Sequence, residues 1–179
     1  VEKIPCVNIN AKDAVALIKG NAKTAKITLK QDEYVGKSRN VILDLPGETD
    51  ETIVFTAHYD STSLSEGAYD NMSGSVGLLA LAEYFITHPH KRGLRFVWCG
   101  SEEQGLFGSK AYVAQHPDLV ANEIKMCFNF DMCGTVLGPN SVFVTGGENL
   151  KAFAEQYNRE IGKSVAIRHG VHSSDSSPF

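Results

Sequence analysis

Residues 52–60 have the sequence TIVFTAHYD, and this stretch decides the fold. It begins with a continuous run of β-branched and apolar side chains, which is typical of a strand covered on both faces. The run ends at two polar residues that can take part in chemistry, His58 and Asp60. In open α/β sheets, ligands bind beyond the carboxyl ends of the strands. The stretch therefore predicts a buried strand that delivers polar side chains to a binding edge.

Two later segments repeat this arrangement. Residues 94–99 (LRFVWC) precede Glu102 and Glu103, and residues 126–130 (MCFNF) precede Asp131. The remaining apolar patterns predict strands over 41–45, 142–145 and 165–168, and helices over 73–87, 105–115 and 149–161. Strands and helices thus alternate, which favours an α/β fold with a mixed, mostly parallel sheet sandwiched by helices.

The hydrophobic pattern of residues 1–37 differs from that of the rest of the chain, and these residues are predicted to form a separate small element. A short helix is expected over 11–20, capped by Asn10, and a strand is expected over 25–30. A polar stretch over 31–39 separates this element from the α/β region, which is expected to span 38–179.

Composition excludes several classes of protein. The 179 residues carry a net charge of −4, whereas a nucleic-acid partner would normally require a basic face. No apolar run approaches the roughly 20 residues that a membrane span needs. The sequence gives no indication of the oligomeric state.

Each polar residue at the sheet edge has an ordinary structural interpretation when taken alone. A histidine after a strand is often structural, an aspartate before a helix (Asp70) is often a cap, and a Glu-Glu pair is usually solvated. Gathering uncompensated carboxylates at one edge, however, is electrostatically costly unless a cation neutralises them. The combination therefore predicts a metal centre.

The residue types narrow the choice of metal. One imidazole with carboxylate oxygens suits Zn²⁺, Mn²⁺ or Co²⁺. Asp60 lies two residues after His58 on the same side of the strand, so its carboxylate can accept the second ring N–H of His58. Of the adjacent residues Glu102 and Glu103, one can bind metal while the other takes a proton from water.

Four motifs together resemble the M28 family of zinc aminopeptidases. They are TAHYDS (56–61), YDNMSG (69–74), CGSEEQGLFGS (99–109) and NFDMCG (129–134), with weaker support from SDSSPF (174–179). The resemblance implies a peptide substrate with a free N-terminus. It also implies two zinc ions and a cis peptide bond between Asp70 and Asn71, and it favours a secreted or cell-envelope location.

The resemblance also implies a role for each residue. His58 and Asp131 would hold one zinc, Glu103 would hold the other, and Asp70 would bridge them. The general base would then be Glu102, and Asp60 would orient His58. The fifth ligand of the family is a histidine after the SDSSPF-like segment, so we expect the native chain to continue beyond Phe179. Residues 1–37 resemble, more weakly, the tail of a protease-associated insert domain.

Two other functions are compatible with parts of the pattern. A single-zinc acyltransferase of the glutaminyl cyclase type has the same fold and several of the ligands, but does not need His58 together with Asp131 at a second metal. A receptor-like domain or pseudoenzyme would keep the fold for binding, but should have lost ligands or the base.

Overall fold

The computed structural model describes residues 7–28, 30, 32, 35–134 and 138–179. The chain divides into two compact units, Val1–Gly36 and Lys37–Phe179. In the first unit, helix α1 spans Ala11–Lys19, and the Asn10 side chain accepts hydrogen bonds from two backbone N–H groups of its first turn, as predicted. The predicted strand over 25–30 is wrong for its described residues, which are exposed and irregular. Two alternating apolar residues do not make a strand when no described neighbour pairs with its backbone groups.

The second unit contains the six strands and the other four helices that the structure describes. The strands are β1 (Val41–Leu45), β2 (Thr49–His58), β3 (Arg92–Cys99), β4 (Ile124–Asn129), β5 (Ser141–Val144) and β6 (Ala166–His169). The helices are α2 (Met72–Thr87), α3 (Phe107–Gln115), α4 (Pro117–Asn122) and α5 (Glu148–Glu160).

Four of the strands form one mixed sheet in the order β1-β3-β2-β4. Strand β2 pairs in parallel with β3 and β4, whereas β1 is antiparallel to β3. Strands β5 and β6 pair in parallel as a separate two-stranded sheet. The predicted mixed, mostly parallel α/β fold is confirmed.

Helices cover both faces of the four-stranded sheet. Successive side chains of β2 point to opposite faces, so each face presents apolar side chains that a helix can cover. On one face, Phe55 and Ala57 pack with Leu78 and Ala82 of α2. On the other face, Val54 packs with residues of β3 and with Tyr112 of α3. All of these side chains are buried, so the two cores fix the position of the sheet edge.

The predicted helix over 105–115 begins two residues later than expected. Gly105 and Leu106 have positive φ angles of 115° and 61°, so regular helix starts only at Phe107. Helix α4 was not predicted, although Pro117 at its first turn is a typical start signal.

Candidate metal centre

The carboxyl ends of β2, β3 and β4 bring His58, Asp131 and the predicted base Glu102 together, whereas the predicted ligand Glu103 is not part of this group. His58 ends β2, the Glu102–Glu103 pair follows β3, and Asp131 follows β4. The Nε2 atom of His58 lies 3.2 Å from Asp70 Oδ1 and 3.4 Å from Asp131 Oδ1. The same nitrogen lies 4.0 Å from Glu102 Oε2. One buried imidazole is therefore surrounded by carboxylates from three separate segments.

Asp60 contacts the centre through different atoms from those predicted. His58 Nδ1 lies 3.1 Å from the main-chain carbonyl oxygen of Asp60, whereas the nearer carboxylate oxygen is 3.7 Å away. The carboxylate of Asp60 instead accepts the backbone N–H groups of Glu102 (2.9 Å) and Glu103 (3.1 Å). Asp60 thus contacts His58 with its backbone and fixes the two glutamates with its side chain.

Asp70 is presented by the turn that leads into α2. The Asp70–Asn71 peptide bond is cis, as expected from the family resemblance. The side chain of Asn71 is buried and ties the start of α2 to the loop after β4, because it donates to Phe130 O and accepts from the backbone N–H groups of Gly74 and Met132. Asp70 is thereby held near the loop that carries Asp131.

Left-handed backbone conformations flank two of the acidic residues. Ser101, just before Glu102, has φ of 58°, and Met132, just after Asp131, has φ of 52°. Non-glycine residues seldom adopt this conformation, and such strain is concentrated at functional sites.

The crowding of charges shifts the pKa values of the centre. Burial alone would lower the pKa of His58, but its interaction with Asp131 and the charges of Asp131 and Glu102 raise it to about 9. Burial raises the pKa of Glu102 to about 7; the charge of His58 opposes this rise, and those of Asp175 and Asp131 add to it. Without a bound cation, His58 therefore carries a proton at neutral pH and acts as the counter-ion of the carboxylates.

The pKa values of Asp131 and Glu103 are shifted in opposite directions. Burial would raise the pKa of Asp131, but His58 and a hydrogen bond from Ser174 lower it. Burial and the charge of Asp70 raise the pKa of Glu103.

A polar chain behind Asp131 was missed by sequence reasoning. Thr56 Oγ1 donates to Asn129 (2.7 Å), the Asn129 side-chain amide donates to Ser174 Oγ (2.7 Å), and Ser174 donates to Asp131 Oδ2 (2.6 Å). These hydrogen bonds fix Oδ2 of Asp131, whereas Oδ1 takes no part in them. The SDSSPF segment, which the resemblance had singled out, was the available signal for Ser174.

Asp175 was also missed. It is fully buried, and neither of its carboxylate oxygens has a hydrogen-bond partner among the described residues. Burial raises its pKa, and its charge acts on Glu102. Asp175 therefore places a further buried carboxyl group behind the centre.

The donor set fits a divalent metal ion. Ligand atoms of His58, Glu102 and Asp131 lie within 4.8 Å of one another. In addition, Glu103 Oε1 is buried without a hydrogen-bond partner in the described part of the chain, and Asp131 Oδ1 accepts no described hydrogen bond beyond its ion-pair contact with His58 Nε2 at 3.4 Å. Buried carboxylate oxygens are normally satisfied, so a cation is the simplest partner for both.

Comparison with known proteins is consistent with this chemistry. The sequence model of Peptidase family M28 matches residues 40–179. Aminopeptidase YwaD of Bacillus subtilis (strain 168) is 34% identical over 136 residues, which cover 74% of this chain and 29% of that protein. Leupeptin-inactivating enzyme 1 of Streptomyces exfoliatus is 30% identical over 175 residues, covering 94% of this chain and 40% of that protein. The chain thus spans less than half the length of these relatives.

Solved structures give the same picture of the fold. BSAP, a zinc aminopeptidase from Bacillus subtilis, superposes with a TM-score of 0.71 at 29% identity, over 78% of this chain and 36% of that one. A glutaminyl cyclase from an Acidobacteriales bacterium reaches 0.68, but at 23% identity the likeness concerns the fold alone.

Proposed function

Because this chain belongs to peptidase family M28, we propose that it is the catalytic part of an aminopeptidase that uses two zinc ions to hydrolyse the N-terminal peptide bond of peptides. The observation that carries the proposal is the convergence of one buried imidazole with carboxylates from three segments at the carboxyl edge of the sheet. The zinc aminopeptidase of Bacillus subtilis, which has the same fold, supports zinc rather than manganese or cobalt.

The residues divide into two groups around the proposed ions. His58 and Asp131 would hold one zinc, Glu103 would hold the other, and Asp70 would bridge them. Zinc ions bound at this centre would polarise the substrate carbonyl group and lower the pKa of a water molecule. Asp131 Oδ1 and Glu103 Oε1 are available for this purpose because no described hydrogen bond occupies them.

Glu102 is the proposed general base. Its Oε2 atom lies 4.0 Å from His58 Nε2, and the carboxylate of Asp60 accepts its backbone N–H. Its pKa of about 7 in the metal-free protein is in the range in which a carboxylate exchanges protons efficiently near neutral pH. Glu102 would take a proton from the attacking water and return it to the leaving amine. Since the base acts in its ionised form, the rate should fall as the pH is lowered.

The proposed metal centre also explains why cleavage would begin at the N-terminus. Asp70, which would bridge the two ions, is 40% exposed, so solvent reaches the centre. The free α-amine of a substrate can bind one of the zinc ions, which would place the first peptide bond at the centre. A substrate with an acetylated N-terminus lacks this amine and should be a poor substrate.

The test of the proposal combines metal removal with one isosteric substitution. Leucine p-nitroanilide should be hydrolysed by the zinc-supplied protein, chelation should abolish hydrolysis, and added zinc should restore it. Glu102→Gln should lower kcat by about 10²–10⁴-fold while leaving the zinc content unchanged. Glu83→Gln, which removes an exposed carboxylate from α2, serves as the control and should be silent. Near-normal turnover by Glu102→Gln would exclude Glu102 as the base.

We further propose that residues 1–37 are the tail of a protease-associated-like insert domain and that residues 38–179 belong to the catalytic domain. The separation of Val1–Gly36 as its own compact unit supports this division. Limited proteolysis of the native-length protein tests it, because a linker between domains should be cut near residue 37 before the sheet is attacked. First cuts within β2 or β3 would contradict it.

A further inference from the structure

An exposed surface that carries one arginine side chain adjoins the acidic centre and has no part in the chemistry described above. It consists of Phe143 on β5, Arg168 on β6 and His172 in the turn after β6. Phe143 and Arg168 are cross-strand partners in the parallel pair. The guanidinium carbon of Arg168 lies 5.8 Å from the centre of the Phe143 ring, and the His172 ring lies 4.8 Å from the same ring centre. All three side chains are exposed.

The turn over residues 172–177 connects this surface to the metal centre. Ser177 Oγ donates to the main-chain oxygen of His172 (3.1 Å) and accepts the backbone N–H of Ser174 (3.2 Å). The hydroxyl of Ser174 in turn donates to Asp131 Oδ2 (2.6 Å). These hydrogen bonds therefore hold the backbone of His172 beside the centre.

Arg168 differs from two other arginines of the second unit. Arg92 and Arg95 each pair with a carboxylate, Glu51 and Asp44 respectively. No carboxylate of the described residues lies within ion-pairing distance of Arg168. Its guanidinium rests on an aromatic ring, which orients it while leaving its N–H donors available for an anion.

We propose that Arg168 and His172 bind the C-terminal carboxylate of short peptides, so that the enzyme favours short substrates with a free C-terminus. The inference rests on the proposed aminopeptidase function. The proposed zinc centre binds the α-amine of the substrate, and the guanidinium group of Arg168 attracts the negative charge at its other end. A planar carboxylate matches the fork of N–H donors that a guanidinium presents. Arg168 and His172 are thus specificity-determining residues and not part of the hydrolytic chemistry.

The experiment compares Leu-Gly-Gly with its C-terminal amide, using native-length zinc-loaded protein. Because an exposed charge pair contributes only modestly, we expect kcat/KM to favour the free acid by about fivefold. Arg168→Met should remove this preference, and Arg168→Lys should keep part of it. Arg159→Met, which removes a positive charge from α5, is the control and should keep all of it. Hydrolysis of leucine p-nitroanilide, which has no carboxylate, should be equal in all four proteins.

A binding measurement separates this inference from the proposed function. Calorimetry with the Glu102→Gln protein should give a lower Kd for Leu-Gly-Gly than for its amide, and adding Arg168→Met should make the two Kd values equal. Equal Kd values before Arg168 is replaced, or an unchanged preference for the acid in Arg168→Met, would overturn the inference. Failure of the native protein to cleave any of these substrates would instead overturn the aminopeptidase assignment, and the binding comparison would still decide the role of Arg168.

Discussion

Compared with Asp70 and Glu103, His58 and Asp131 are much more firmly built into the fold. His58 is 1% exposed, its Nδ1 contacts the Asp60 carbonyl oxygen, and its own carbonyl oxygen accepts a hydrogen bond from Ser75. Asp131 is backed by the hydroxyl of Ser174. We refer to these two residues as the His58–Asp131 side of the centre.

The opposite half, the Asp70–Glu103 side, has fewer contacts. Asp70 is 40% exposed, and its carboxylate contacts the His58 ring at 3.2 Å. Glu103 is anchored by its backbone N–H to Asp60, while one of its carboxylate oxygens is buried without a described partner. Preorganised ligands lose less freedom when a metal binds. The difference indicates that the two sides should bind zinc with unequal affinity.

Removing a ligand from each side gives the largest expected effect. His58→Ala should abolish the tighter class of zinc sites, a greater loss than the 10–100-fold that a supporting residue costs. Glu103→Ala should abolish only the weaker class and leave one zinc per chain. Zinc titration of the native protein followed by elemental analysis of each variant checks both outcomes. A single class with one zinc in the native protein would contradict the two-ion centre and favour a cyclase-type site.

The second prediction concerns pH on the His58–Asp131 side. The pKa of His58 is about 9 in the metal-free protein, and only the neutral imidazole binds a metal. Zinc must therefore displace a proton at any pH below about 9, and its apparent affinity should fall about tenfold per pH unit, or about a hundredfold from pH 9 to pH 7. Titrations at pH 7, 8 and 9 in metal-free buffers measure this slope.

The raised pKa of His58 also affects the stability of the metal-free protein, which should fall as the pH rises, whereas zinc affinity should increase. Because folding raises the pKa of His58 from 6.5 to about 9, its contribution to the metal-free protein is complete below about pH 6.5 and is lost as the pH rises through about 9. The difference in Tm between zinc-loaded and metal-free protein should widen across this range. A constant difference would show that His58 is not protonated in the metal-free centre.

The third prediction removes the support behind Asp131. Ser174→Ala should lower zinc affinity at the tighter class by about 10–100-fold, since the Asp131 carboxylate would lose the donor that orients it. The neighbouring substitution Ser173→Ala is the matched control, because the exposed side chain of Ser173 makes no described hydrogen bond. An equal effect of the two substitutions would show that the turn, and not the Ser174 hydroxyl, supports the centre.

The contrast between the two sides also shows how far the sequence could predict the structure. Residues 52–60 predict both a buried strand and the ligand at its end, because an apolar run and the point where it stops can be recognised from the local sequence alone. Ser174 follows Asp131 by more than 40 residues, and the hydrogen bond between them arises only when the turn after β6 reaches β4. The atom through which Asp60 meets His58 was likewise unpredictable, since it depends on the competing N–H groups of Glu102 and Glu103.

Strand prediction failed where tertiary pairing decides the outcome. Residues 25–30 alternate as a strand should, yet their described part remains irregular, whereas β2 extends three residues before its predicted start because β3 provides a partner at Thr49. Pairing, rather than intrinsic propensity, sets these boundaries.

The last prediction concerns the contact between the turn that carries Asp70 and the loop that carries Asp131. Gly74, in the first turn of α2, lies so close to Phe130 O and the Asn71 side chain that a Cβ atom would clash with both. These groups connect the Asp70 turn to the Asp131 loop, so Gly74→Ala should lower the free energy of unfolding by about 1–3 kcal/mol and weaken zinc binding at the Asp70–Glu103 side. Gly77→Ala, in the same helix with open space around it, should instead stabilise the protein by up to about 1 kcal/mol. Denaturant unfolding with and without zinc distinguishes the two, and equal effects would show that α2 tolerates a closer approach to the Asp131 loop than these contacts imply.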